Sequence, residues 1–218
     1  MSEAGRSQEI EMRLDGALHR GTLGAVPGAT GIVLFAHGSG SSRLSGRNRF
    51  VAASLQGAGI ATLLFDLLSE AEDREYAARF DIALLTRRLL EATRWVRAQP
   101  ALAELAVGYF GASTGAAAAL SAAAALGDAV RAVVSRGGRP DLAAADLPRV
   151  RAPTLLIVGG DDADVIALNE QAYAELDCVK RLDIVPGATH LFEEPGALEA
   201  VARLAGDWFA RHLGAGGT

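Results

Sequence analysis

The chain has one cysteine, Cys178, so no disulfide can form within it. A single thiol suits a reducing compartment. The first residues, Met1-Ser2-Glu3-Ala4-Gly5-Arg6, lack the basic start and apolar core of a secretion signal. Long hydrophobic runs are missing as well. The longest, around Ala116–Ala119 and Ala122–Leu126, fall far short of the roughly 20 residues that cross a bilayer. Dense Lys/Arg runs are absent and the formal net charge is −5, which disfavours a nucleic-acid partner. Aromatic residues make up only 6%. The expectation from these absences is a soluble, cytoplasmic protein with no nucleic-acid or membrane partner, monomeric or homodimeric.

What is present is apolar content of 50% over 218 residues, mostly Ala, Leu and Val, with 25 Gly besides. That is enough for one α/β domain spanning 1–218 with a proper core, with 1–8 and 214–218 fraying. Glu9–Leu14 and Ala17–Leu23 alternate around Asp15-Gly16 as a hairpin does. Gly31–Ala36, Ile60–Phe65, Leu105–Phe110, Ala129–Ser135, Thr154–Val158 and Arg181–Val185 read as strands, the first three as continuous apolar runs buried on both faces. Between them, Phe50–Gly57, Phe80–Arg97 (closed by Pro100), the Ala-rich stretch Ala116–Ala125 and Ala197–Leu213 read as helices. Strands alternating with helices predict β-α-β units and a mostly parallel sheet with helices on both faces. Ligands in such sheets bind beyond the carboxyl ends of the strands, so the residues just after each strand matter most.

After Leu105–Phe110 stands Gly111-Ala112-Ser113-Thr114-Gly115, a G-x-S-x-G motif between strand and helix. A serine on so sharp a turn is held in a strained backbone conformation, and the flanking glycines avoid collisions. The turn exposes the hydroxyl and aims the Thr114 amide at a developing oxyanion. After Gly31–Ala36 stands His37-Gly38-Ser39-Gly40-Ser41-Ser42. Its glycines, Gly40 among them, let backbone approach a substrate, and the Ser39 amide is the candidate second oxyanion donor. His37 is expected to support the loop. A dinucleotide site is excluded because Arg43 replaces the third glycine and no helix opens there.

A serine nucleophile needs a base held by an acid. Of the four histidines, His19 lies in the hairpin, His212 in the last helical turn where the dipole suits it, and His37 precedes the serine. Only His190 follows a late strand. The acid should follow Thr154–Val158, where Asp161, Asp162 and Asp164 are all available; a cation site there is disfavoured because no ligand at EF-hand spacing follows. Asp66 reads as a structural turn residue, and Glu193 and Glu194 as caps for the helix after Pro195. Arg43, Arg47, Arg49, Arg136 and Arg139 also follow strands. They either form a basic rim that captures an anionic substrate, with Arg43, Arg136 and Arg139 as substrate-binding candidates, or pair with acids such as Asp66 and Asp141.

His-Gly-Ser-Gly, Gly-Ala-Ser-Thr-Gly, Gly-Gly-Asp-Asp and Gly-Ala-Thr-His-Leu-Phe fall in this order between Gly31 and Leu213. In that order the chain resembles the dienelactone hydrolase-like branch of the α/β-hydrolases. The resemblance implies the α/β-hydrolase fold and places the acid after Gly-Gly-x, at Asp162. It departs from dienelactone hydrolases proper, which carry cysteine where this chain has Ser113. The 18 residues 136–153 are too few for the helical lid of many lipases. The implied activity is hydrolysis of small soluble esters or lactones by Ser113, Asp162 and His190, with no metal or organic cofactor. A thioesterase or acyltransferase with the same residues, or a silent ligand-binding domain, is the rival reading.

Overall fold

The computed structural model describes residues 6–214. Most of the tails expected to fray lie outside these, but Arg6–Gln8 belong to the first strand rather than to a loose end. Strands β1 (Arg6–Leu14) and β2 (Ala17–Ala25) form an antiparallel hairpin. Its two turn residues, Asp15 and Gly16, both take positive φ (52° and 82°). Those values match the primed turn whose twist suits two-residue hairpins.

From there strand and helix alternate. β3 (Gly31–Ala36) leads to α1 (Gly46–Gly57), β4 (Ala61–Phe65) to α2 (Ile82–Ala98), and β5 (Ala106–Ala112) to α3 (Thr114–Leu126). β6 (Val130–Arg136) is followed by a 3-10 run over Pro140–Arg149, β7 (Thr154–Gly159) by α4 (Ala163–Glu175), and β8 (Lys180–Val185) by α5 (Ala197–Leu213). α1 begins one turn before the expected Phe50. Ser45 caps it by accepting the Asn48 N–H, and Asp81 caps α2 by accepting the Leu84 N–H at 2.9 Å. Ser113 and Asp162 occupy the same cap positions of α3 and α4, but neither side chain bonds to its helix. Helix α4 was not foreseen from the sequence.

The eight strands lie in the order β1-β2-β4-β3-β5-β6-β7-β8, with only β2 antiparallel to its neighbours. Along β3 the side chains alternate. Ile32, Leu34 and Ala36 join the core under α2, α3 and α4, while Val33 and Phe35 join the core under α1 and α5. Ala116, Ala117, Ala118 and Ala119 of α3 are all fully buried, so this helix sits close against both sheet and neighbours. The chain leaves β3 for β4 on one side and returns to β5 on the other. The crevice at this reversal opens at the carboxyl ends of β3 and β5, where the two Gly-rich motifs stand. The 136–153 stretch packs as its short 3-10 run against α3 and α4 and forms no large lid. No helix among the described residues is long and apolar enough to cross a membrane.

Candidate active site

Ser113 sits between β5 and α3 at φ 51° and ψ −123°, the strained conformation that an exposed turn serine requires. Backbone bonds pin it from both sides. Its N–H donates to the Arg136 carbonyl at 3.3 Å, and its own carbonyl accepts from Arg139 N–H at 3.1 Å. The flanking glycines are there because of close approach. A Cβ at Gly111 would stand 2.4 Å from Ala116 Cα, and one at Gly115 would stand 2.1 Å from the Ala36 carbonyl oxygen. The collisions that glycine avoids are thus with the start of α3 and the end of β3. Gly38 packs just as closely on the serine itself: a Cβ there would lie 2.9 Å from Ser113 Cβ.

His190 stands in the loop between β8 and α5. Its Nδ1 donates to Asp162 Oδ2 at 2.7 Å, which leaves Nε2 as the ring nitrogen available to a substrate or to Ser113. Asp161 is exposed and Asp164 lies in the first turn of α4, so the carboxylate on the ring is Asp162's. A Cβ at Gly137 would lie 3.5 Å from His190 Cε1 and Nδ1, which places the ring over the residue that follows Arg136. The serine turn and the imidazole thus both stand against the end of β6. No hydrogen bond joins Ser113 Oγ to the ring; catalytic bonds of this kind commonly tighten only with substrate bound.

The loop after β3 differs from expectation in one respect. The Ser39 N–H, the candidate oxyanion donor, donates to Thr114 Oγ1 at 3.0 Å, because that buried hydroxyl at the head of α3 turns back onto the loop. Gly40 takes φ 68° in a turn closed by Ser41 N–H on the Gly38 carbonyl, with open space where a side chain would be. His37 supports the loop: its Nε2 accepts the Leu67 N–H at 3.0 Å, and Nδ1 bonds the Gly38 carbonyl at 3.0 Å. Burial pushes its pKa down, so the ring is neutral. A cavity of about 550 Å³ adjoins the far side of this loop, walled by His19, His37, Arg43 and Asp66.

The arginines do not form an open basic rim. Arg43 turns away toward the hairpin and meets Glu9 at 3.0 Å and Asp66 at 3.3 Å, with its side chain only 11% exposed. Arg139 is held by both oxygens of Asp141, at 2.8 and 2.7 Å. For both, the pairing with nearby acids is what the structure contains. Arg47 bonds Glu193 at 2.9 Å, joining α1 to the His190 loop. Arg136 has no acid partner among the described residues, and its Nε and Nη1 are buried without a hydrogen-bond partner there.

Glu193 and Glu194 are not side-chain caps of α5, whose cap position is Gly196. Glu194 instead clasps Thr189 through both its N–H (3.1 Å) and its hydroxyl (2.6 Å), and so stiffens the turn that carries His190. Asn169 of α4 donates to the Gly138 carbonyl at 3.0 Å and braces the loop that holds the Ser113 carbonyl. Sequence reasoning found neither brace. His212 also departs from expectation: its ring packs on Trp208 at 4.5 Å, and burial lowers its pKa, so the helix dipole does not hold it charged.

A model of the dienelactone hydrolase family matches residues 47–213. The crystal structure of a dienelactone hydrolase from Anabaena variabilis ATCC 29413 is 56% identical and superposes with a TM-score of 0.94, covering 96% of this chain and 99% of that one. Est1E from Butyrivibrio proteoclasticus shares the fold at 14% identity, with a TM-score of 0.81 over 94% of this chain and 98% of its own. A Mycobacterium tuberculosis H37Rv protein, provisionally named a phosphoribosyl transferase, is 58% identical over 208 residues. That match takes in 95% of this chain but only 47% of the relative, so the chain spans about half the length of the curated relatives it matches. With this sheet order and these matches, the chain has the α/β-hydrolase fold and belongs to the dienelactone hydrolase family.

Proposed function

We propose that the chain works as a single-domain serine hydrolase, cleaving small soluble carboxylic esters or lactones through an acyl-enzyme. The observation that carries this reading is the Asp162–His190 hydrogen bond at 2.7 Å, poised over Gly137 beside a Ser113 held at φ 51°. The name of the Anabaena relative supports lactones or esters as substrates.

In the first half-reaction His190 Nε2 takes the Ser113 proton as Oγ attacks the carbonyl carbon. Asp162 holds the Nδ1–H tautomer and stabilises the imidazolium. The oxyanion is met by the Thr114 N–H, one of the unpaired donors in the first turn of α3, and by the Ser39 N–H once it leaves Thr114 Oγ1. His190 then gives its proton to the departing alkoxide. In the second half-reaction it activates a water that attacks the acyl-enzyme, and Ser113 is released. The steps use only these side chains, backbone amides and water.

The test is labelling with a fluorophosphonate, followed by peptide mapping, together with turnover of an activated aryl ester. Label on Ser113, and loss of turnover by several orders of magnitude in a folded Ser113→Ala variant, is the expected result. An unlabelled Ser113 in a protein that still hydrolyses the ester would overturn the mechanism. Comparing esters with thioesters, and water with alcohols as acceptor, separates an esterase from a thioesterase or acyltransferase with the same triad.

A further inference from the structure

β8 closes the sheet on one side, and β7 is its only partner strand among the described residues. The Val179 and Val185 carbonyls accept the Thr154 and Gly160 N–H groups at 2.8 Å each, on the β7 side. Alternate residues of a parallel strand bond to the same neighbour. The residues between, Lys180, Leu182 and Ile184, therefore turn their N–H and C=O groups outward. Such an edge invites another strand unless something guards it. β8 lacks the usual guards. It contains no proline, and its register with β7 runs unbroken from Lys180 to Val185. Its lysine is drawn off the edge: Lys180 Nζ donates to the Tyr173 and Leu176 carbonyls at 2.6 and 2.5 Å and lies 4.7 Å from the Tyr173 ring centre. Val179 is 63% exposed and Ile184 41%.

The order of side chains says which strand fits. Lys180-Arg181-Leu182-Asp183-Ile184 is self-complementary when a second copy runs antiparallel with Leu182 facing Leu182. Arg181 of each copy then faces Asp183 of the other, with Cβ atoms about 4.5–5.5 Å apart. Within one strand these two already bond at 2.9 Å, and the arginine side chain is 54% exposed. The second copy completes a square of two arginines and two aspartates. The Lys180 stem faces Ile184, and Val179 faces Val185. In the same register the outward backbone groups meet: Leu182 bonds Leu182, and Lys180 bonds Ile184, through N–H and C=O in both directions. A shift of the centre by one residue destroys the match, because Arg181 or Asp183 then faces its own copy. The opposite edge, β1, has no such order: centred on its middle residue, Ile10, it sets Glu9 against Glu11.

We infer that the free edge of β8 is a dimer interface, and that its partner is a second copy of this chain paired antiparallel about Leu182. Such a contact is isologous and closes after two copies. The carboxyl ends of the two β8 strands then point in opposite directions, so the His190 loop that follows each one stays clear of the other. The inference is independent of the serine-hydrolase reading.

The experiment is sedimentation velocity at about 1–100 μM, where the wild-type chain should reach twice its 22.6 kDa. Arg181→Asp and Asp183→Arg should each weaken self-association at least about tenfold, because both cross-strand pairs become like charges. Mixed together, the two variants should associate, since one brings only negative and the other only positive charge to the square. The double variant, Arg181→Asp with Asp183→Arg, should dimerise on its own. Leu182→Pro removes an outward N–H without touching the β7 ladder and should give a monomer. Hydrogen exchange at the Lys180, Leu182 and Ile184 amides should slow as the wild-type concentration rises. Circular-dichroism spectra check that each variant is folded. A wild-type chain that stays monomeric throughout leaves the edge to a different strand and overturns the interface. So does a dimer that survives Leu182→Pro, or a pair of charge variants that does not associate when mixed. If Leu182→Pro does not fold, the charge variants, single, mixed and double, decide the matter.

Discussion

Replacing Gly115 by alanine adds one methyl group where two carbonyls already stand. The new Cβ would lie 2.1 Å from the Ala36 oxygen and 2.5 Å from the His37 oxygen. It must retreat by about 0.9 Å before the shorter contact reaches even 3.0 Å, a separation that real Cβ atoms do not cross. Both obstacles are backbone, so no side chain can swing aside; either the head of α3 lifts or the end of β3 gives way. Overpacking of this kind costs about 1–3 kcal/mol, and rigid surroundings place Gly115→Ala near 3. For a chain of this size that lowers the melting temperature by about 6–12 °C. Turnover should fall further than stability explains, because the shift separates the Ser113 turn from the Ser39 loop. Gly206, inside α5 with nothing within 4 Å of its Cβ position, is the control. Gly206→Ala should stabilise by about 1 kcal/mol through helix propensity alone, raising the melting temperature by about 2–4 °C. Circular-dichroism melts of the two variants, with aryl-ester turnover at 25 °C, make the comparison. A Gly115→Ala protein that melts within about 2 °C of wild type and keeps its activity would refute the steric reasoning.

Three further outcomes are expected. Asp162→Asn should lower kcat by about 10²–10⁴-fold, since an amide favours the wrong imidazole tautomer, while Asp161→Asn should leave it nearly intact; steady-state kinetics that reverse this order would exchange the two roles. His37 is neutral in the fold, with its pKa lowered by burial, so below its unfolded value of about 6.5 the unfolded chain binds the proton first and stability falls as pH drops, by at most about 1.4 kcal/mol per pH unit. Urea melts from pH 8 to 5, compared with His37→Gln, should show that slope and its reduction in the variant; a flat profile would refute it. Burial raises the pKa of the Cys178 thiol, so alkylation at pH 7.5 should be slow and should leave ester turnover unchanged, as mass spectrometry and a parallel assay would show.

Strands and the two glycine motifs were readable because their demands are local. A continuous run such as Gly31–Ala36 must be covered on both faces, and G-x-S-x-G is enforced within five residues. What escaped turned on buried asparagines. The stripe that α4 buries is Val165, Asn169 and Ala172, and its central polar residue hides the helical period until the Gly138 carbonyl is seen to be its partner. α1 was likewise read one turn short, because Asn48, buried in its first turn, looks like a loop residue. The arginines left two readings open for another reason. Sequence places Arg43 and Arg136 after strands alike, but only three-dimensional neighbours show that one meets Asp66 and Glu9 while the other meets no acid among the described residues. Ser39 was assigned from its place in the loop, and the competing Thr114 hydroxyl lies 75 residues away in the chain.

Four helices begin at a serine or an aspartate, and the chain uses these identical residues in two opposite ways. Ser45 and Asp81 bond to their own helices, whereas Ser113 and Asp162 leave theirs uncapped. Each omission forgoes about 0.5–2 kcal/mol. On the proposed mechanism, selection for durability and selection for turnover therefore pull on the same two oxygen-bearing side chains. An engineer ranking substitutions by thermal stability alone would be drawn to resettle the heads of α3 and α4 and, on that mechanism, would lose turnover in making the protein sturdier.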